Sequence, residues 1–234
     1  MTVPMRNNFK DISSRWLRES GRHKYSYNFS WLGRPIIQYP QDIVAMQELI
    51  YALQPDIIIE TGIAHGGSLV FYASMLELNA ACGGPKDAGV LGVDIDIRAH
   101  NREAVEKHPM VKRISMIQGS SIAPEIIEQV KIRAKGKPCV LVCLDSNHAH
   151  NHVLSELEAY APLVTAGSYC VVFDTVIEDM PTDMFPDRPW GKGNNPKTAV
   201  HEYLETHAEF EIDMSIQRKL LITVAPDGYL KRVR

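Results

Sequence analysis

Apolar residues alternate along this chain between short continuous runs and longer stretches at helical spacing. Ile43, Val44, Met46, Leu49, Ile50 and Leu53 recur at helix-like intervals within Gln41 to Gln54 and predict an amphipathic helix. Ile57 to Glu60 then reads as a strand, Ser68 to Leu78 as a helix and Ala81 to Ala88 as a loop. Further strands are predicted at Val90 to Asp94, Ile114 to Ile117, Val140 to Leu144 and Tyr169 to Phe173. Between them, Arg98 to Lys107, Pro124 to Ala134 and Val153 to Tyr160 are helix-compatible, with Pro124 suited to a first turn. Such repeated strand, loop and helix units predict an α/β fold with a mostly parallel sheet and helices on both faces.

Three regions depart from this rhythm. Val176 to Lys197 is dense in Pro, Asp, Gly and Asn and longer than ordinary connections, which favours a functional lid. It closes at Asn195-Pro196, an N-cap and first position for a helix running to about His207. From Phe210 to Arg234 come two strand-like runs, with Ala225-Pro226-Asp227-Gly228 turning the chain after the second, then a short extended tail. A C-terminal hairpin adding an antiparallel edge is expected there. Residues 1–40 are polar and dotted with aromatics, and read as an extension ahead of a single domain over residues 41–234. Trp16, Tyr25, Tyr27 and Phe29 fall outside the core pattern, so a contact with a neighbouring subunit in a homo-oligomer is expected.

Composition narrows the class. With 234 residues, 45% hydrophobic and 23% charged, the chain can bury a substantial core. The balance of 25 basic against 28 acidic residues leaves no electrostatic footprint for nucleic acid. The N-terminus lacks an apolar stretch of signal-peptide length and no segment suffices to span a bilayer, so no membrane insertion and a cytoplasmic location are expected. Cys139, Cys143 and Cys170 lie in apolar runs and Cys82 in a loop, without a Cys-x-x-Cys pair, so all read as reduced thiols without a catalytic role.

Chemistry concentrates where strands end. Ile57-Ile58-Ile59-Glu60-Thr61-Gly62-Ile63-Ala64-His65-Gly66-Gly67-Ser68 is strand, acid, glycine turn and helix start, the usual opening of a nucleotide site. Dinucleotide folds need Gly-x-Gly-x-x-Gly, with the middle glycine admitting the phosphates; Ala64 stands there instead. An adenosine-bearing ligand without phosphates fits better. Ligands of open α/β sheets bind beyond the carboxyl ends of strands, and here those ends carry Glu60, Asp94, Gln118-Gly119-Ser120, Asp145 and Asp174. Asp94 is placed to accept ribose hydroxyls, and Ser120 and Gln118 are within reach of an adenine edge or are plain turn residues.

Taken together, Glu60-Thr61-Gly62, Gly66-Gly67-Ser68, Asp94, Asp145-Ser146-Asn147-His148 and Asp174 resemble a class I S-adenosylmethionine-dependent methyltransferase. More closely, the sequence from Trp31 to Arg234, including Gly193-Asn194-Asn195-Pro196-Lys197-Thr198-Ala199, is similar to the cephalosporin hydroxylase-like and rhamnosyl O-methyltransferase family. The resemblance implies a Rossmann-like, seven-stranded fold. It implies S-adenosyl-L-methionine as cofactor, held by Glu60, Gly62, Gly66, Ser68, Asp94, Ser120 and Asp145. It also implies a divalent cation such as Mg²⁺ on Asp145 and Asp174, and an acceptor hydroxyl on a sugar, whether small molecule or glycan. His148 stands three positions beyond the first aspartate, where the family carries its basic residue; with Asp145 it forms the expected catalytic pair. The family's macrolide-sugar relatives have an acid before the second aspartate, and this chain has Phe173. Thr175 or water is then expected to complete the metal shell, with Glu178 and Asp179 as substitutes.

Two other readings stand beside this one. A nicotinamide-dependent oxidoreductase is opposed by the glycine spacing, and Phe173 allows a cofactor-binding subunit without activity. His148, His150 and His152 alternate and invite a transition-metal site, but no Cys or further ligand motif accompanies them. Trp31 and Trp190 are either sugar-stacking or packing residues.

Overall fold

The computed structural model describes residues 7–234, with side chains from Asn8 onward; that part of the N-terminal extension lying in residues 1–6 falls outside the described residues. Helix α1 (Asn7–Arg22) and a 3₁₀ turn (Tyr25–Asn28) lead into a small hairpin of β1 (Phe29–Trp31) and β2 (Arg34–Ile36). The alternating region follows as α2 (Pro40–Leu53), β3 (Ile57–Thr61), α3 (Gly67–Ala81), β4 (Gly89–Asp94) and α4 (Ala99–Glu106). It continues as β5 (Ile114–Gln118), α5 (Pro124–Ala134), β6 (Val140–Leu144), α6 (His150–Tyr160) and β7 (Tyr169–Val172). The chain ends in α7 (Pro196–Thr206), β8 (Phe210–Ile212), α8 (Met214–Leu220) and β9 (Tyr229–Arg232).

The main sheet has the order β5-β4-β3-β6-β7-β9-β8, parallel from β5 to β7, with β9 antiparallel to both of its neighbours. Parallel strands are covered on both faces, which is why β3 and β6 are apolar runs buried at every residue. Ile58, Leu141 and Val171 face a core shared with α2 and α3, while Ile57, Val142 and Cys170 face one shared with α5, α6 and α7. From β3 the chain winds outward to β4 and β5, then returns to β6 on the other side. That reversal opens a crevice between the carboxyl ends of β3 and β6, where the strand-end acids gather.

The expected antiparallel C-terminal strands are present as β8 and β9, but the second of them lies further along the chain than expected. The second strand-like run is not a strand: Asp213 caps α8 by accepting from the Ser215 amide at 2.9 Å, and the run becomes that helix and an extended connection. The tail read as loose extension is β9, inserted between β7 and β8, where Tyr229 and Leu230 are fully buried. The Ala225–Gly228 turn therefore precedes the strand that forms the antiparallel edge. Helix α6 starts at His150, ahead of the expected Val153.

In the N-terminal segment most of the aromatics meet one another within the chain. Trp16 packs edge-on against Tyr25 at 5.1 Å and Tyr39 at 6.0 Å, and Tyr25 against Phe29 at 5.1 Å. Leu17 and Tyr39 join Val176 and Met180 of the lid in a small apolar cluster. Among the described residues, no helix is long and apolar enough to cross a membrane.

Candidate active site

Beyond β3 the chain turns sharply because neighbouring backbone leaves no room for a side chain. Gly62 has φ of +90°, and a Cβ there would lie 2.1 Å from the Asp145 carbonyl oxygen. Gly66, also left-handed, starts α3, and a Cβ on Gly67 would strike the Pro35 carbonyl at 2.1 Å, so the N-terminal hairpin sits directly on the loop. Asp94 at the end of β4 secures the loop from the other side: its carboxylate accepts from the amides of Ile63 at 2.7 Å and Ala64 at 3.2 Å. Amides that would cradle a pyrophosphate in a dinucleotide fold are thus occupied by a carboxylate, which accords with a ligand lacking phosphates.

The carbonyl side of the loop is held by residues the sequence did not single out. Arg34 of β2 donates twice to the His65 carbonyl and once to Asn101 Oδ1 at 3.0 Å, while Asn101 Nδ2 donates to the Ala64 carbonyl at 3.0 Å. The partners lie far apart in sequence, and no local motif announces them. Glu60 is buried beneath the loop and accepts from Ser68 Oγ at 2.7 Å. Burial, reinforced by the charge of Asp94, pushes its carboxyl up to about 8, against the bond from Ser68.

Asp145, His148 and Asp174 converge across the crevice. One ligand atom from each lies within 4.8 Å of the others, and His148 Nε2 is 3.2 Å from Asp174 Oδ2. Asp174 follows β7 in a left-handed conformation, φ 55°, which aspartate tolerates better than most residues and which aims its carboxylate back at His148. Asp145 is half-buried at the crevice. Burial, then the charges of Asp174, Glu60 and Glu156, hold its carboxyl well above the usual carboxylate range. Asp145 and Asp174 offer carboxylate oxygens of the kind a hard divalent ion prefers, with the His148 imidazole set against them.

Other expected ligands go elsewhere. Thr175, read as completing the metal shell, is fully buried and donates its hydroxyl to the Pro226 carbonyl at 2.6 Å, turned away from the crevice. Glu178 accepts from the Gly193 amide at 2.8 Å and from Asn195, and Asp179 pairs with Lys197 at 2.5 Å; both tie down the lid. Ser120 is outside the lining of the cleft, its carbonyl accepting from the Ala123 amide, and Gln118 accepts from Arg102 at 3.2 Å. The three alternating histidines diverge: His150 bonds to Thr198 and Glu202, and His152 to Ser121, Ser146 and Glu156. The buried Glu156 also takes a 2.6 Å bond from Ser146, bracing the loop that carries Asp145 and His148. Its spacing of four from His152 on α6 is the signal that could have revealed this brace.

A cleft of about 1080 Å³ joins these groups. Gly62, Ser68, Asp94, Asp145, His148 and Asp174 form its floor, and residues of α1 and the lid its outer wall. Single-ligand pockets run to roughly 300–1,000 Å³, so this one has room for a nucleoside cofactor and part of an acceptor. Trp190 meets the His148 ring edge-on at 5.0 Å and packs on Phe185 at 4.8 Å, giving the lid an aromatic face beside the Asp145, His148 and Asp174 cluster. Trp31 instead packs on Phe71 and donates to Ser74, away from the cleft.

The sequence profile of the Rhamnosyl O-methyltransferase/CmcI family matches residues 23–233. The chain belongs to that family. It is an S-adenosylmethionine-dependent O-methyltransferase. Rhamnosyl O-methyltransferase of Mycobacterium leprae (strain TN) is 32% identical over 218 residues, covering 90% of this chain and 88% of that one. The Mycobacterium tuberculosis (strain ATCC 25618 / H37Rv) protein of the same name is also 32% identical, over 90% of this chain and 83% of its own. A solved CmcI structure with Mg and SAM superposes at TM-score 0.61 and 19% identity, over 89% of this chain and 78% of that one. The O-methyltransferase TomG from Streptomyces achromogenes, in complex with SAM, superposes at 0.53 and 16% identity, over 86% and 79%. At these identities the structural likeness is one of fold.

Proposed function

We propose that this enzyme methylates a sugar hydroxyl with the assistance of a divalent cation held by Asp145 and Asp174, with His148 beside it as the general base. The observation that carries the reading is the convergence of those three side chains within 4.8 Å, in the same cleft as the glycine turn and Trp190. The relatives named for rhamnosyl methylation and the CmcI structure with Mg and SAM support the sugar acceptor and the cation. Residues 41–234 act as the methyltransferase domain, with the described part of the N-terminal extension and the lid at 176–197 as its outer wall.

S-adenosylmethionine, when bound, supplies an electrophilic methyl group, and a divalent cation supplies Lewis acidity to a coordinated hydroxyl. The chain does the rest. Gly62, Gly66 and Ser68 shape the cofactor seat over Glu60, and Asp94 offers its free lone pairs to the ribose. Ser120 contributes to the adenine end only if its loop turns inward. His148 takes the hydroxyl proton as the oxygen attacks, and the Asp174 carboxylate holds the imidazole in place and stabilises the imidazolium that results. Trp190 and Phe185 close the cleft to water and give the apolar face of a pyranose a surface to stack on.

Replacing His148 with Ala tests this assignment. Calorimetric affinity for S-adenosylhomocysteine stays unchanged while turnover drops by about 10²- to 10⁴-fold. Undiminished transfer by His148→Ala removes it as the base.

A further inference from the structure

Among the described residues, nothing covers one side of helix α1. Phe9 and Ile12 are 53% and 56% exposed and Trp16 is 37% exposed, and their spacing of three and four places them in one stripe. The core-facing residues Ser13, Leu17 and Ser20 occupy the neighbouring sector, so the stripe is not a badly buried core face. Apolar and polar residues are segregated more sharply in α1 than in α2, α3, α4, α5, α6 or α7. Residues 7–24 hold Lys10, Arg15, Arg18, Arg22 and Lys24 against only Asp11 and Glu19, in a chain of net charge -3. Among the described residues Lys10, Arg15 and Arg18 have no carboxylate partner, while Arg22 meets Asp183 of the lid at 3.5 Å.

We propose that α1 lies on an anionic lipid surface, with Phe9, Ile12 and the edge of Trp16 in the headgroup region and the basic side chains on lipid phosphates. A strongly amphipathic helix that is polar overall, with Phe and Trp on one side and Lys and Arg on the other, has the composition of an interfacial helix. Charge selects this occupant over a second copy: a two-fold contact sets α1 against α1, bringing Lys10 and Arg15 near their own counterparts. Anionic headgroups complement the same residues. Leu17 and Gly21 of α1 line the cleft, as does the exposed Tyr27 just beyond it, so the seated helix sets the rim of the cleft at the bilayer. Acceptors carried by lipid then reach the site without leaving the membrane plane.

Flotation of the full-length protein with phosphatidylcholine vesicles, with and without phosphatidylglycerol, tests the proposal. The wild type co-floats with the anionic vesicles only. Phe9→Asp/Ile12→Asp loses at least about tenfold in partitioning, and Lys10→Glu and Arg15→Glu each lose about fivefold or more, with melting temperature and S-adenosylhomocysteine affinity unchanged. Wild-type protein that stays with the soluble fraction overturns it, as does Phe9→Asp/Ile12→Asp that floats normally. Dissociation of an oligomer by Phe9→Asp/Ile12→Asp, without vesicle binding by the wild type, assigns the stripe to a contact between copies instead. Cofactor affinity is read separately, so failure here leaves the methyltransferase reading standing.

Discussion

Gly62 shows how one position joins fold and site. Its φ of +90° and the 2.1 Å approach that a Cβ would make to the Asp145 carbonyl mean that Gly62→Ala must displace the loop carrying a proposed metal ligand. Strain of this kind costs about 1–3 kcal/mol before the clash is added, so Gly62→Ala is expected to lower the melting temperature by several degrees and to weaken cofactor affinity, both readable by thermal shift. Asp174 gives the contrasting case. Asn also tolerates a left-handed backbone, so Asp174→Asn keeps the fold within about 1 kcal/mol but abolishes the response to Mg²⁺ in calorimetry. Retained cation binding in Asp174→Asn removes Asp174 from the shell. At this scale the sequence was informative wherever an acid followed an apolar run, as at Asp94, Asp145 and Asp174, because strand direction alone carries such residues to one edge. It was silent on side-chain direction. Nothing local distinguishes Asp174, facing His148, from Thr175, turned to Pro226, since the difference is set by one left-handed residue and a turn about fifty positions away.

Two elements carry the site without touching its chemistry. Asn195 is fully buried, caps α7 in a capping box with Thr198 and bonds to Glu178, so it fastens both ends of the lid. Asn195→Ala forfeits the cap, worth about 0.5–2 kcal/mol, and leaves the Glu178 carboxylate without that donor; limited proteolysis then cuts within 180–194 sooner than in the wild type. The β1–β2 hairpin acts through Arg34, whose bonds to His65 and Asn101 hold the cofactor loop. Hydrogen bonds from a charged donor contribute about 1.5–3 kcal/mol, so Arg34→Ala is expected to weaken S-adenosylhomocysteine binding roughly ten- to a hundredfold, measured by calorimetry. Helices and strands of the parallel part were legible because each has a buried face of one clear period. The hairpin, α1 and β9 were not: each is short or charge-rich and owes its structure to partners distant in sequence, as Tyr229 does to β7.

For the molecule as a whole, buried acids set the dependence of stability on pH. Burial pushes the Asp42 carboxyl up to about 7 despite bonds from Thr223 and the Val224 amide, and that of Glu60 to about 8. The folded chain therefore keeps protons that the unfolded chain releases near pH 4, so this contribution is fully present below about pH 4 and is lost as pH rises toward 7 and 8. Urea midpoints of the cofactor-free protein are expected to fall between about pH 5 and 8, with a shallower slope in Asp42→Asn; a midpoint that climbs across that range contradicts this. The parallel sheet with helices on both faces followed from the alternating pattern, whereas the strand order that opens the crevice between β3 and β6 is seen only in the structure. What the crevice receives is a matter of chemistry. The most direct test is transfer of a labelled methyl group from S-adenosylmethionine to a rhamnoside with vicinal hydroxyls, with and without EDTA. Label in a sugar methyl ether, lost with EDTA, restored by Mg²⁺ and absent in Asp174→Asn, is the predicted result; transfer indifferent to EDTA and to Asp174→Asn contradicts it.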